Sequence, residues 1–332
     1  MARQADSPLS WGEFELIDRI FAPLAHGFSG AFDLKDDVAV LEPRAGHELV
    51  LKTDSTIEGV HFLSGDPPET VARKALRRAL SDIAAKGATP AAYLLAVALP
   101  ASISIAWIEK FAEGLRGDQA WFRVALAGGE TNRTPGALTI TVMAVGWVPS
   151  GRLLRRNGAK AGDHVWVTGT VGDAGAGLSL LKKEAALEDI AARDRLVERF
   201  RVPEPRMEFG KALGGVANAA IDVSDGLIAD LDHLVEASGI RVEIDLDRVP
   251  ISPELRALWG HNAGMRAVSA GDDYEIAFTA PASAVDEIAA AASRTRTPVT
   301  CIGSVIDGSA GVRVLDSFGC ELELPRKGYR HF

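Results

Sequence analysis

Two cysteines in 332 residues, Cys301 and Cys320, with no Cys-x-x-Cys spacing, exclude a zinc ribbon and a disulfide-stapled scaffold. Long apolar runs are missing too: the longest, Ala91 to Pro100, falls far short of the roughly 20 residues that a membrane-spanning helix needs. The N-terminal stretch carries Arg3, Asp6, Glu13 and Asp18 and no apolar export segment, so the expectation is a soluble, cytoplasmic protein. Blocks of positive charge are absent beyond doublets such as Arg77-Arg78 and Arg155-Arg156. With 45 acids against 36 bases the formal charge is −9, which argues against a nucleic-acid partner. Nor is there a Gly-x-x-x-x-Gly-Lys-[Ser/Thr] loop or a strand-linked Gly-x-Gly-x-x-Gly. Any nucleotide must be held by another device.

What is present reads as two globular domains. The length exceeds one ordinary domain, and Pro149-Ser150-Gly151 marks a break, giving expected domains 1–150 and 151–332. In the first, the pattern predicts a helix from Trp11 to Leu24, strands over 36–41 and 49–54, a helix from Glu69 to Lys86 stopped by Gly87, a strand from Tyr93 to Leu99, a helix from Ala106 to Leu115, a strand from Phe122 to Ala127 running into Gly128-Gly129-Glu130, and a long strand from Leu138 to Val148. In the second, strands near 164–168, 219–223, 241–245, 274–279 and 299–305 alternate with helical patterns near 173–187, 205–217, 226–238 and 281–295. The fold class is α/β or α+β.

Acids recur where such elements meet: Asp37, Asp54, Asp82, Glu130, Asp222, Asp225 and Asp272. An acidic protein that handles phosphates needs local positive charge, and carboxylates can supply it by holding magnesium, a hard cation that takes oxygen ligands and shares them with substrate phosphates. Each position alone has a plainer reading. Thr53-Asp54 serves equally as a polar strand exit, and His61 as a packed histidine. Asp82 could make an i,i+4 pair with Arg78 or Lys86 on a solvated helix face. Gly128-Gly129-Glu130 could be a turn. Ser224 or Asp225 could cap the following helix, whose N-terminus would also attract a phosphate. The Gly-rich link from Gly169 to Gly177 suits phosphate binding or tight packing, and an arginine such as Arg156 is more often a surface residue than a phosphate clamp.

Taken in order, the motifs resemble the thiamine-monophosphate kinase family of the PurM-like superfamily. They comprise Gly12-Glu13-Phe14-Glu15-Leu16-Ile17, Asp36-Asp37-Val38-Ala39-Val40, Thr53-Asp54 through His61-Phe62, Leu80-Ser81-Asp82-Ile83-Ala84-Ala85, Gly128-Gly129-Glu130-Thr131 and Thr168-Gly169-Thr170-Val171-Gly172-Asp173. Pro205-Arg206, Asp222-Val223-Ser224-Asp225-Gly226-Leu227, Gly271-Asp272-Asp273-Tyr274-Glu275 and Gly328-Tyr329-Arg330-His331-Phe332 follow. The resemblance implies a two-domain PurM-like fold, an N-terminal sheet domain that dimerises, and a C-terminal α/β domain that completes an active-site cleft. It implies ATP as co-substrate, thiamine monophosphate as acceptor, and several magnesium ions. By the same resemblance Asp37, Lys52 through its backbone, Thr53, Asp54, Asp82, Glu130, Asp222 and Asp225 fall on metal positions. Gly129, Glu130, Arg156 and Ser224 fall on ATP positions, and His61, Asp272 and Tyr329 on positions that hold the thiamine phosphate.

Four positions depart from the family pattern: Lys35 stands for the glycine before the Asp pair, Ala79 for an asparagine, Lys86 for a methionine, and Glu130 for the aspartate of Gly-Gly-Asp. Lys35 would set a cation beside the Asp pair, and Glu130 keeps the carboxylate one methylene further out. No residue is expected to act by a covalent or acid–base role, because an acceptor phosphate is already anionic and transfer can be direct and metal-assisted. PurM-like relatives that use an N-terminal cysteine do not match, since no cysteine precedes Cys301.

Overall fold

The structure is a computed structural model that describes residues 11–324 and 326–329. Of the C-terminal motif, Arg330, His331 and Phe332 lie outside the described residues. The chain divides into two compact units, the first comprising residues 1–83 and 89–150, the second residues 84–88 and 151–332.

The first unit holds a four-stranded sheet, β1 (His47–Ile57), β2 (Thr89–Pro100), β3 (Ala125–Thr134) and β4 (Thr139–Pro149), in the spatial order β1-β4-β2-β3. Of its neighbouring pairs, β2–β3 is parallel and the two that β4 makes are antiparallel. One face is deeply covered. Ile140, Val142 and Ala144 of β4 and Tyr93, Leu95, Val97 and Leu99 of β2 alternate inward and are all buried, as period-two side-chain placement requires. The Pro68–Ala85 helix lies on this face, so close that a Cβ on Gly146 of β4 would come 3.1 Å from Ile83 Cγ2. The Ile105–Phe122 helix is tied to it by the buried Arg77–Asp118 ion pair, with Nε 2.6 Å from Oδ2. The opposite face keeps its apolar side chains in the open: Leu49 is 47% and Leu51 61% exposed.

Several local expectations give way, among them the strand expected from Phe122, which begins only at Ala125 because Phe122 ends the preceding helix. Residues 36–41 form no strand; no neighbouring strand takes up their backbone, and Val38 and Val40 stay exposed. The Trp11–Leu24 helix contains a π-turn over Ile17–Phe21. Gly128-Gly129-Glu130 is no turn but the middle of β3, paired with Leu94, Leu95 and Ala96 after a bulge.

The second unit holds six strands, β5 (Asp163–Thr168), β6 (Ala219–Val223), β7 (Arg241–Asp245), β8 (Glu275–Pro281), β9 (Val299–Ile306) and β10 (Gly311–Leu315), in the order β10-β7-β9-β5-β8-β6. β10 had no counterpart in the sequence pattern. On one side Val165, Val167, Ile221, Val223, Ala277 and Ile302 pack against Leu227, Ile228, Leu231, Leu234 and Val235 of the Leu227–Ser238 helix. β6 leads directly into that helix through residues 224–226, so the acids of the Asp222–Leu227 motif sit at a strand-to-helix junction.

Candidate active site

In the first unit, register decides which side chains share a face. Lys52, Asp54 and Thr56 of β1 pair with Ala144, Val142 and Ile140, whose side chains are fully buried under the helices. Thr53 and Ser55 pair with Met143 and Thr141 and project to the open face, where Ser55 Oγ and Thr141 Oγ1 lie 2.8 Å apart. The Pro68–Ala85 helix meets β1 with Arg78 and Asp82, four residues apart and therefore on one helical face. Arg78 donates to Ser55 O at 3.1 Å and Thr56 Oγ1 at 2.9 Å. The Lys52 ammonium stands 2.8 Å from Asp82 Oδ2 and 3.4 Å from Asp54 Oδ1. Asp82 is thus no member of a solvated i,i+4 pair but a partner of Lys52 across to the sheet, while Lys86 Nζ donates to Ala220 O at 2.9 Å. Burial pushes the Asp54 pKa above its ordinary value, against the opposing pull of Lys52 and Arg78.

Other first-unit candidates are not drawn to this point. Glu130 lies in the cross-strand row Ser55–Thr141–Ala96–Glu130, on the open face and at the far edge of the sheet. Three strand spacings of about 4.8 Å separate it from β1, roughly 14 Å. Gly129 has a structural reason to be glycine, because a Cβ there would fall 1.8 Å from Leu95 O. Asp37 is exposed on the irregular segment before β1. The Lys35 ammonium pairs with Asp18. His61, just past β1, accepts the Ile57 amide on Nδ1 at 3.0 Å, which leaves Nε2 to carry the ring proton.

In the second unit the 222–226 junction is held from several sides. Asp230, one turn into the helix and 3% exposed, accepts the amides of Ser224, Asp225 and Gly226 on a single oxygen, Oδ2, at 2.9, 3.0 and 3.1 Å. The helix therefore has Gly226 at its N-cap position with no side-chain cap from Ser224 or Asp225, and the loop amides face an internal carboxylate. Burial, with the Asp222 and Asp225 carboxylates beside it, pushes the Asp230 pKa well above its ordinary value, while the amides oppose that shift. Asp272 N donates to Ser224 O at 2.7 Å, and Tyr274 N to Val223 O at 2.8 Å. Asp272 and Tyr274 both take left-handed φ, 70° and 53°, a conformation that costs a non-glycine residue about 1–2 kcal/mol. Tyr274 Oη donates to Asp272 Oδ1 at 2.9 Å and fixes that carboxylate. Tyr329 N donates to Asp225 O at 2.9 Å, and the chain passes so close that a Cβ on Gly328 would lie 2.6 Å from the same oxygen. Thus Asp222, Ser224, Asp225, Asp272 and Tyr329 belong to three cross-bonded segments. Arg156 is not among those bonds; it is exposed, and its carbonyl accepts from Ser238 Oγ at 2.8 Å.

The Gly169–Gly177 link is likewise committed internally. Asp273 accepts the amides of Gly172 at 2.6 Å and Ala174 at 3.2 Å, so a carboxylate sits where a phosphate would have to bind. Glu275, fully buried, receives Arg206 in a bidentate pair at 2.7 and 2.7 Å, Arg199 at 2.9 Å and Thr168 Oγ1 at 2.6 Å. Burial works against its ionised form, yet Arg206 and then Arg199 and Thr168 outweigh burial and hold its pKa below the ordinary value. The residues that sequence reasoning missed are Asp230, Tyr274 and the Lys52 ammonium. Asp230 left a signal, an acid in the first turn of a helix after an amide-rich loop.

Among the described residues no three His, Cys, Asp or Glu side chains are gathered tightly enough to hold a metal as they stand. The donor chemistry nonetheless fits magnesium at Asp54 and Asp82: two carboxylates already converge on one cationic atom, the Lys52 ammonium, and magnesium is commonly held by one or two carboxylates with the remaining positions left to water and phosphate.

The chain matches AIR synthase related protein, N-terminal domain, over residues 35–148 and AIR synthase related protein, C-terminal domain, over residues 160–316. It is 41% identical to a thiamine-monophosphate kinase of Caulobacter vibrioides over 301 residues, covering 89% of this chain and 84% of the relative. The chain belongs to the thiamine-monophosphate kinase family. Among solved members of that family, the Stenotrophomonas maltophilia K279a enzyme superposes with a TM-score of 0.83 at 40% identity, over 91% of this chain and 96% of the other. The structure described as AaThiL complexed with AMPPCP and TMP superposes with a TM-score of 0.76 at 35% identity, over 97% of each chain. The two sheet units are thus the two PurM-like domains of a thiamine-monophosphate kinase family member.

Proposed function

We propose that this protein transfers the γ-phosphoryl group of ATP to thiamine monophosphate, forming thiamine diphosphate and ADP. The observation that carries this reading is the likeness over 97% of both chains to a family member complexed with AMPPCP, a non-hydrolysable ATP analogue, and TMP. Transfer is direct: an oxygen of the acceptor phosphate bonds to the γ-phosphorus as the bond to the ADP oxygen breaks. The acceptor is already anionic, so no general base is required. Magnesium held by the Asp54 and Asp82 carboxylates would supply positive charge to offset that on the transferred group.

The chain's own residues do the holding and aiming. In the first unit Asp54 and Asp82 are the paired carboxylates for one cation, Lys52 and Thr53 offer backbone oxygens beside them, and Asp37 is a further acidic ligand. In the second, Asp222 and Asp225 are the metal carboxylates and Ser224 the nucleotide contact, with Asp230 holding the Ser224 and Asp225 amides. Gly129 and Glu130 on β3, and Arg156, are nucleotide contacts, with Glu130 also a metal ligand. His61 through Nε2–H, Asp272 as oriented by Tyr274, and Tyr329 hold the thiamine phosphate. The exposed Leu49 and Leu51 on the open sheet face support a homodimer formed through the first unit. Among the described residues no helix is long and apolar enough to cross a membrane; with the two unpaired cysteines this supports a place in the cytoplasm.

Incubation of the purified protein with ATP, magnesium and thiamine monophosphate, with products resolved by chromatography, tests the reading. Thiamine diphosphate and ADP formed in equal amounts support it. Nucleotide binding without thiamine diphosphate would point to a non-catalytic nucleotide sensor and overturn it. Sedimentation of wild type and Leu51→Glu tests the dimer, since a charge on the open face should yield monomers.

A further inference from the structure

We propose that Lys52 is a built-in counter-cation that competes with the divalent ion for the Asp54 and Asp82 carboxylates, and thereby sets the magnesium concentration at which that pair is occupied. This rests on the reading of the pair as a metal site. Lys52 and Asp54 are two apart on β1 and so project to the same face, while Asp82 comes down from the helix above. The ammonium bridges them, 2.8 Å from Asp82 Oδ2 and 3.4 Å from Asp54 Oδ1, in a region where all three side chains are no more than a third exposed. An ammonium is a compact point charge with three donors on a flexible stem. It can satisfy both carboxylates without metal, and it can withdraw when a doubly charged ion arrives. It cannot stay where it is, because a divalent ion bound to the same oxygens would sit within a few ångströms of a like charge. Arg78 adds an electrostatic pull on Asp54, while its guanidinium donates to Ser55 O and Thr56 Oγ1, so the ammonium that bridges the two carboxylates is that of Lys52.

Two consequences separate this from a merely structural ion pair. Without the amine, the two carboxylates lose the counter-charge that bridges them in the metal-free protein and gain affinity for a divalent cation. A structural pair would lower stability equally at every magnesium concentration; a competing counter-cation makes the loss recoverable by magnesium. The test uses the full chain as wild type, Lys52→Met, Lys52→Ser, Lys52→Arg and Asp54→Asn. Free Mn2+ is followed by electron paramagnetic resonance, competition with Mg2+ gives its affinity, and thermal denaturation is recorded in chelator and through a magnesium titration. Lys52→Met and Lys52→Ser should bind Mg2+ roughly tenfold tighter, a change of about 1.4 kcal/mol. They should melt below wild type in chelator and gain more on adding magnesium. Lys52→Arg, which keeps the charge, should bind no tighter than wild type. If Asp54→Asn loses the ion while Lys52→Met and Lys52→Ser bind it as wild type does, the competing role is overturned and the metal reading stands. If Asp54→Asn binds the ion unchanged, both are overturned. If neither neutral variant folds, Lys52→Arg binding tighter than wild type overturns the proposal and Lys52→Arg binding no tighter supports it.

Discussion

Replacing Asp230 by alanine should loosen the 224–226 junction more than any change at the acids it displays. The substitution strands three amides, those of Ser224, Asp225 and Gly226, each now bonded to the same carboxylate oxygen. A hydrogen bond to a charged acceptor contributes about 1.5–3 kcal/mol net, which for three would give about 4.5–9. Two features reduce that sum. One oxygen serves all three donors, and burial beside the Asp222 and Asp225 carboxylates works against the ionised acceptor. A loss of about 3–4 kcal/mol follows, and about 1–2 for Asp230→Asn, which keeps an acceptor oxygen. Amide hydrogen exchange is the suitable assay, because a two-unit chain need not unfold in one step. The 224–226 amides should be strongly protected in wild type and exchange at least a hundredfold faster in Asp230→Ala, roughly what 3 kcal/mol permits. Turnover should fall in parallel with a raised magnesium requirement. Unchanged protection of these three amides in a folded Asp230→Ala protein would refute the reasoning.

Asp54→Asn should lower turnover at least roughly a hundredfold with the fold intact, since the site loses a full charge that holds the cation against phosphate; near-normal turnover at saturating magnesium would remove Asp54 from the metal. Glu275→Gln should cost about 3–5 kcal/mol by leaving the buried Arg206 and Arg199 uncompensated, read from denaturant unfolding of the second unit. Because Glu275 has a folded pKa below its unfolded one, its contribution is present above the ordinary glutamate value and is lost as pH falls toward the folded value. Wild type should therefore lose stability over that acid window more steeply than Glu275→Gln, and parallel curves would contradict the shift. Incubation with γ-labelled ATP without acceptor, then denaturation, should leave the polypeptide unlabelled; stable stoichiometric label would mean a covalent intermediate. Glu130→Gln should leave Mn2+ binding at the Asp54–Asp82 pair unchanged within twofold or so, since roughly 14 Å of sheet intervenes.

Much of the second unit was legible because its signals are local and period-two. Strands 219–223 and 241–245 are bounded as expected, the first a short mostly apolar run and the second an alternation of polar and apolar residues. β10 was missed because Gly311-Val312-Arg313-Val314-Leu315 is short, glycine-started and half-exposed, and becomes a strand only by pairing with β7. The expected strand over 36–41 failed for the complementary reason: alternation of valines marks strand propensity, but a strand also needs a neighbour. At the candidate site the acids were readable and their partners were not. That Asp82 meets Lys52, 30 positions earlier, depends on how a helix is laid across a sheet. The Gly169–Gly177 link illustrates the same limit, since only the fold brings Asp273 to its amides.

The sheet of the first unit also constrains how its acids can work. Asp54 points toward the helices at one edge; Glu130 points to the open face at the other; Thr53, adjacent to Asp54, has its hydroxyl on the side away from it. Magnesium holds its ligands at about 2.0–2.1 Å, so no single ion in one chain can take oxygens from both Asp54 and Glu130. The motif acids of this unit therefore lie in at least two separate places, and the extra methylene of Glu130 has no bearing on the geometry at Asp54 and Asp82. Lys52 is different, because it stands inside the pair. A family pattern records which positions carry acids, whereas the pleat of β1 and the helix laid across it decide which of them lie close enough to share a cation, and the counter-ion role proposed for Lys52 follows from that placement.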